Sequence, residues 1–241
     1  MTDDPADPTL DPASETERRN FYGRIHGKTL RPRQKQLLAD LLPRLSPGAV
    51  SVFDNPDRMP VDLTALFPGR PVWLEVGFGG GEHMVHLAQA NPDVAIVGCE
   101  PFLNAVAMAL AKIEDGGLID RFRIHPWDAR ELFEVMPAPV FARAYLLYPD
   151  PWPKSRHHRR RFVTPEHLVP LHGAMQPGAV LHVATDIPDY VRQTLDEVPR
   201  AGFTRLAGDI HTPWDGWHST RYEKKALREG RRPHYMRFRR D

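Results

Sequence analysis

Residues 72–82 read Val72-Trp73-Leu74-Glu75-Val76-Gly77-Phe78-Gly79-Gly80-Gly81-Glu82, a hydrophobic run that passes directly into a glycine-rich turn. The run has the length and composition of a buried strand, and the residues that follow predict a helix that ends at Asn91-Pro92. Glycines at such a turn let the backbone approach a ligand closely, because no side chain fills the space. The stretch therefore predicts a strand–loop–helix unit of an α/β fold with a ligand at the loop.

A second apolar strand is predicted from Val94 to Gly98, and an acid, Glu100, follows it. Glu100 lies 23 residues after Gly77, close to the spacing at which an acid binds a pair of ribose hydroxyls. The unit fits either a dinucleotide or S-adenosylmethionine. Glu82 stands where the dinucleotide pattern needs glycine, and Glu75 would attract a sulfonium cation but repel a pyrophosphate. These residues favour a methyl donor over NAD, and a tight turn without a ligand is the third interpretation.

Two further carboxylates follow predicted strands. Asp128 comes after a strand over 121–125 and is either an acceptor for an adenine amino group or the N-cap of the next helix. Asp150 follows an apolar run, 144–148, whose ladder cannot continue because prolines alternate through positions 149–153. Ligands of open α/β sheets bind at the carboxyl ends of strands, so Asp150 is a candidate active-site residue. The alternative is a stiff surface loop.

Basic residues are concentrated in three blocks, although the net charge is only +1. Residues 1–17 hold six acids and no base, and their low hydrophobicity predicts a disordered tail. Residues 18–241 carry 32 lysines and arginines against 25 acids, and the bases cluster at 18–35, 154–161 and 221–241. Such clustering is typical of nucleic-acid binding, whereas any one block alone could be a solvated surface.

Composition indicates one soluble α/β domain over residues 18–241, with a mixed aromatic and basic arm at 21–28. No apolar run reaches about 18 residues, and the acidic N-terminus is unlike a signal peptide, so we expect a cytoplasmic protein without a membrane segment. The one cysteine, Cys99, excludes an intrachain disulfide and a cysteine-rich zinc site, and no metal is expected.

Three motifs together resemble the bacterial tRNA (guanine-N7)-methyltransferase family, and the similarity is spread over most of residues 18–241. They are Leu74 to Glu82, Tyr148-Pro149-Asp150-Pro151-Trp152-Pro153-Lys154 with the basic run to Arg161, and Thr220-Arg221-Tyr222-Glu223. The middle motif is the most distinctive, because general adenosylmethionine enzymes do not combine P-D-P-W with a basic run. The family usually has T-K-F-E at 220–223 and other residues at Pro153 and Ser155, and these departures bear on the geometry of the site.

The resemblance implies a Rossmann-like α/β fold, the class I methyltransferase fold, with a mostly parallel seven-stranded sheet and helices on both faces. It also implies methyl transfer from S-adenosyl-L-methionine to N7 of guanine 46 in the variable loop of tRNA. The protein would act as a monomer or homodimer. Two rival hypotheses are a methyltransferase acting on a protein or small molecule, and a non-catalytic RNA-binding protein.

The resemblance further assigns roles to individual residues. It places the donor among Glu75, Glu100, Asp128 and Asp150, and the loop glycines Gly77, Gly79 and Gly81 are expected at the same site. Because guanine N7 carries no proton, we expect Asp150 to be the catalytic residue by orienting the base and offsetting the developing charge. The resemblance places the target nucleotide against Lys154, Asp186, Thr220, Arg221, Tyr222 and Glu223, and the RNA against the basic run with Arg156, Arg159, Arg160 and Arg161.

Overall fold

Strands and helices alternate along the computed structural model, which describes Gly23, Ile25 and residues 27–241. The predicted tail 1–17 and part of the predicted arm 21–28 lie outside these residues. The strands are β1 Val72–Val76, β2 Ala95–Cys99, β3 Phe122–His125, β4 Phe141–Leu147, β5 Met175–Thr185, β6 Phe203–Arg205 and β7 His234–Arg240. The α-helices are α1 Pro32–Asp40, α2 Glu82–Ala90, α3 Leu103–Asp115, α4 Ala129–Glu134, α5 Pro165–Ala174, α6 Pro188–Arg200 and α7 Arg221–Arg228.

All seven strands form one sheet in the order β3-β2-β1-β4-β5-β7-β6. The first five strands in this order are parallel to one another, and β7 lies antiparallel between β5 and β6. A mostly parallel seven-stranded sheet is thus confirmed. The carboxyl ends of the five parallel strands meet at one edge of the sheet, as parallel pairing requires.

Helices cover both faces of the sheet, because the buried strands present apolar side chains alternately to each side. In β1, Leu74 packs into one hydrophobic cluster and Trp73 into the other. Helices α4 to α6 contribute to the Leu74 cluster and α1 to α3 to the Trp73 cluster. The predicted arrangement, with helices on both faces, is confirmed.

The predicted elements differ from the structure mainly toward the C-terminus. The predicted fifth strand, 179–184, is extended by a segment whose pairing with β4 shifts register around Gly178, where φ is +78°. Helix α7, residues 221–228, is not predicted from the sequence, because its apolar positions are few and most of its side chains are charged. Within the described residues, no helix is long and apolar enough to cross a membrane.

Candidate active site

A cavity of about 790 Å³ opens at the carboxyl edge of the parallel strands. The segments that follow β1, β2, β3 and β4 each contribute to its wall, because those strand ends converge there. Five of the predicted donor-site residues line it: Gly77, Gly79, Glu100, Asp128 and Asp150. Residues far apart in the sequence are therefore brought to one site, as the predicted topology requires.

Glu100 is fixed by two backbone N–H donors. Gly79 N donates to its Oε2 at 2.9 Å and Phe102 N to its Oε1 at 2.9 Å. The side chain is almost fully buried, and this loss of solvent raises the pKa of Glu100, with a smaller contribution from the nearby charge of Asp150. Each carboxylate oxygen keeps a second lone pair, so Glu100 remains able to accept from a ligand's hydroxyls.

Asp128 is the N-cap of α4, which confirms that interpretation, and it also lines the cavity. Its role as an acceptor for an adenine amino group stays a prediction. Its carboxylate accepts from the backbone N and the guanidinium of Arg130. Burial alone would raise the pKa of Asp128, but the hydrogen bonds from Arg130 lower it below its ordinary value. The carboxylate is therefore ionised and held in one orientation.

Asp150 lies in a loop with unusual backbone geometry. Tyr148 and Trp152 on either side of it have φ of +50° and +40°, a region that residues with a Cβ adopt at a cost of about 1–3 kcal/mol each. The loop begins where Tyr148 N donates to the carbonyl of Ala184 at 2.7 Å. Asp150 is open to the cavity, yet the surrounding protein displaces enough water to raise the pKa of its carboxyl.

The basic run forms a short 3₁₀ helix, Ser155–Arg160, at the rim of the cavity, which we call the basic turn. Arg159 and Arg160 line the cavity, and the Arg160 guanidinium lies 5.0 Å from the centroid of the Trp152 ring. Lys154 and Arg156 are exposed but stand outside the lining. The basic turn thus presents cations both to the cavity and to solvent.

Arg161 departs from the expectation that it lies on the RNA. Its side chain is 1% exposed, and its guanidinium donates inward, to backbone carbonyls and to α6. The prediction is wrong for this residue because a basic run need not keep one face: at Arg161 the 3₁₀ helix has ended and the chain turns into the core.

Two residues predicted at the donor site stand outside the cavity lining. Glu75 points to the sheet face under α2, where its Oε2 lies 2.7 Å from Nδ1 of the equally buried His83. Gly81 is the N-cap of α2 with φ +77°, and a Cβ there would lie 2.7 Å from Cβ of Ala109 on α3. The Glu75–His83 contact fixes α2 to β1, and the absence of a side chain at Gly81 allows α2 and α3 to pack closely.

The C-terminal motif divides into two buried and two cavity-lining residues. Thr220 caps α7 by accepting from Glu223 N, and the Glu223 carboxylate accepts from Nε1 of Trp217 at 3.1 Å and from the hydroxyl of Tyr235. Arg221 and Tyr222 reach the cavity beside the glycine loop. Thr220 and Glu223 therefore anchor the helix that presents Arg221 and Tyr222.

Asp186 follows the fifth strand, as predicted, but it does not line the cavity. Its Oδ2 accepts from Nε of Arg231, and its side chain is 12% exposed. The charge of Asp186 is thus paired within the protein, across a junction between β5 and the segment after α7.

Several lining residues carried no sequence signal of their own. Phe102, Trp127, Phe162 and His167 complete the cavity wall. Trp127 directly precedes Asp128, and Phe102 follows Glu100 by two residues. Their closeness to these strand-end acids could have suggested both as lining residues. Phe162 precedes α5 and His167 lies in its first turn, and only the folded chain brings this part of the sequence to the cavity.

Comparison with known proteins identifies the family. The family model Methyltransf_4, described as "Putative methyltransferase", matches residues 69–236. The tRNA (guanine-N(7)-)-methyltransferase of Ruegeria pomeroyi is 64% identical over 226 residues, which are 92% of this chain and 95% of that protein. The enzyme of the same name from Cereibacter sphaeroides is 58% identical over 241 residues, 100% of this chain and 99% of its own. The chain belongs to the tRNA (guanine-N7-)-methyltransferase family.

Solved structures agree with this family at the level of the fold. The 16S rRNA methyltransferase KamB superposes with a TM-score of 0.55 at 17% identity, covering 73% of this chain and 91% of that one. An antibiotic-related methyltransferase superposes with a TM-score of 0.53 at 18% identity over the same shares. This member of the tRNA (guanine-N7-)-methyltransferase family therefore has the class I methyltransferase fold.

Proposed function

We propose that the protein transfers a methyl group from S-adenosyl-L-methionine to N7 of guanine 46 in the variable loop of tRNA. The observation that carries the proposal is Asp150, which lies at the end of a central strand in the same cavity as Glu100 and beside the basic turn. The donor site at Glu100, the Asp150 carboxylate and the RNA-facing arginines of the basic turn then line one cavity.

The residues of the cavity fit the donor. Glu100 has free lone pairs for the two ribose hydroxyls, and such charge-assisted bonds contribute about 1.5–3 kcal/mol. Gly77 has φ of +69° and no atom within 4 Å of the position of a Cβ, so a ligand can approach its backbone. Asp128 lies at the end of the third strand, where an adenine amino group can donate to it. The donor supplies an electrophilic methyl group on a sulfonium cation.

Asp150 acts by orientation and electrostatics. Guanine N7 has a lone pair and no proton, so the reaction needs no general base. The Asp150 carboxylate accepts from N1–H and the amino group at the opposite edge of the base, which directs N7 toward the methyl group. The methylated purine is a cation, and the same carboxylate offsets its charge.

The remaining predicted residues divide between contact and support. Arg221 and Tyr222 contact the target nucleotide from the wall of the cavity beside the glycine loop, while Lys154 and the arginines of the basic turn neutralise RNA phosphates. Support comes from residues whose side chains are already paired within the protein: Glu75 with His83, Asp186 with Arg231, Thr220 with the backbone N of Glu223, and Glu223 with Trp217 and Tyr235.

The test is transfer of labelled methyl to unmodified tRNA, followed by borohydride–aniline cleavage, which reports N7-methylguanine at nucleotide resolution. We expect cleavage at position 46 and none in a tRNA with adenine at that position. Label in a protein extract but not in tRNA would favour the protein-methyltransferase alternative. Tight tRNA binding without saturable donor binding in calorimetry would favour a non-catalytic RNA-binding protein.

A further inference from the structure

Arg161 holds the loop that carries Asp150 by its backbone. Its Nε donates to the carbonyl of Pro151 at 2.7 Å, and its Nη2 donates to the carbonyl of Trp152 at 3.4 Å. These are the first two carbonyls after Asp150. The buried side chain of Arg161 therefore fixes the backbone of the two residues that follow Asp150.

The other edge of the same guanidinium is fixed to helix α6. Nη1 donates to Oε1 of Gln193 at 2.9 Å and Nη2 donates to Oδ2 of Asp189 at 2.8 Å, while the guanidinium carbon lies 5.3 Å from the centroid of the Tyr190 ring. A planar guanidinium with donors on both edges is suited to such a bridge. Arg161 thus connects a rigid helix to the loop.

The loop lacks the usual means of holding its own shape. Prolines at 149, 151 and 153 have no N–H to donate, so half of the backbone donors from 149 to 154 are missing, whereas every carbonyl is still available to an outside partner. Among the described residues, positive φ outside glycine occurs at Arg58, Tyr148 and Trp152, and the last two bracket Asp150. A left-handed conformation at such residues persists only where the surroundings enforce it.

We propose that Arg161 is a positioning residue, which fixes the Asp150 carboxylate by tying the Pro151 and Trp152 carbonyls to α6. Arg161 does not line the cavity, so it acts on the reaction through the loop and not by touching donor or RNA. The inference rests on the proposed function, because its main readout is turnover of tRNA.

The test is the substitution Arg161→Lys, which keeps one positive charge but cannot bridge four acceptors with one nitrogen. We expect kcat to fall about 10²-fold, as displacement of a catalytic group by about 1 Å does. KM for tRNA and for the donor should stay within about threefold. The slope of log K for tRNA against log salt should equal that of the wild type, whereas Arg159→Met should reduce it by about 0.7–0.9.

A second variant covers the case in which Arg161→Lys does not fold, as judged by circular dichroism. Gln193→Ala keeps the arginine and removes one of its anchors, so kcat should fall about three- to tenfold, the range for one hydrogen bond. Arg200→Ala, an exposed change on the same helix, is the matched control and should leave kcat unchanged.

Amide hydrogen exchange at Tyr148, whose N–H donates to the carbonyl of Ala184 where the loop begins, gives a readout that needs no substrate. Exchange there should accelerate about tenfold in Gln193→Ala and stay unchanged in Arg200→Ala, since one anchoring hydrogen bond holds the loop closed by about that factor. Unaltered exchange and kcat in Gln193→Ala, or a reduced salt slope in Arg161→Lys, would overturn the positioning role. Accelerated exchange in a protein that fails to methylate tRNA would instead overturn the proposed function alone.

Discussion

At the scale of single residues, the main feature of the site is two carboxylates in one cavity whose pKa values are both raised. Loss of solvent raises the pKa of Glu100 and of Asp150, and for Glu100 the charge of Asp150 adds to it. A cation bound between them offsets this cost. In the proposed reaction the sulfonium of the donor and the methylated purine are both cations, so the same pair of acids would favour the ligand before and after transfer.

Replacing Asp150 by Asn should lower kcat by about 10²–10³-fold, because the amide keeps the size but loses the charge and one acceptor. Ala should be at least as poor. In the wild type, kcat should rise as pH increases through the raised pKa of Asp150 and then stay flat, because no base has to be ionised near neutrality. Single-turnover rates across pH measure this. An Asn variant with wild-type kcat would leave Asp150 as a loop-shaping residue only.

The same substitution should have the opposite effect on stability. Because the folded-state pKa of Asp150 lies above its unfolded value, the folded state binds more protons in that interval, so stability falls as pH rises through it. Asparagine does not ionise and escapes this loss. We expect the Asn variant to melt at a higher temperature than the wild type at about pH 7–8, and the difference to shrink as pH falls below the raised pKa. A lower melting temperature at neutral pH would argue against a destabilising charge at this position.

At the scale of elements, two glycines of the loop differ in what their missing side chains allow. Gly81 lets α2 pack against α3, whereas the backbone of Gly77 is open to a ligand. Gly81→Ala places a Cβ 2.7 Å from Cβ of Ala109 at φ +77°, so it should cost roughly 2–4 kcal/mol of unfolding free energy. Gly69→Ala is the matched control, since φ is +70° and nothing lies within 4 Å; it should cost about 1–2 kcal/mol. Chemical denaturation measures both. Equal losses would mean that α2 shifts freely away from α3.

The basic turn should account for part of the salt dependence of tRNA binding. Neutralising Arg159 and Arg160 together should reduce the log–log salt slope by about 0.7–0.9 for each phosphate that the protein no longer neutralises. Filter binding at several salt concentrations measures the slope, and donor affinity by calorimetry tests whether the pocket itself has changed. A slope equal to that of the wild type would make the turn a solvated surface.

Strand ends were predictable from the sequence, but the direction of individual side chains was not. Glu100, Asp128 and Asp150 each follow an apolar run, and parallel pairing alone then brings them to one edge. Glu75 lies within a strand, where alternation decides its face, and its partner His83 is visible only once α2 is packed. Arg161 is indistinguishable in sequence from Arg160, because its burial depends on where the 3₁₀ helix ends.

At the scale of the whole molecule, charge is unevenly distributed along the chain. Residues 1–17 carry six acids and no base, whereas residues 18–241 have a net charge of +7, from 32 bases and 25 acids. Deleting residues 2–17 should therefore leave kcat/KM for tRNA within about tenfold of the full chain, because those acids do not attract RNA. Steady-state kinetics of both forms at one salt concentration test this. A larger loss would give the acidic segment a direct part in turnover.

The order of the sheet has a consequence for how the chain is made. Strand β7 lies between β5 and β6, so it supplies hydrogen-bonding partners to two strands that are synthesised before it. Until residues 234–240 leave the ribosome, β5 keeps one unpaired, largely apolar edge and β6 has no neighbour in the sheet. An exposed edge of this kind pairs readily with other chains. A pause in synthesis after β5 has left the ribosome and before residues 234–240 have left it would thus expose the nascent protein to aggregation, and we expect chaperone dependence to be greatest in that interval.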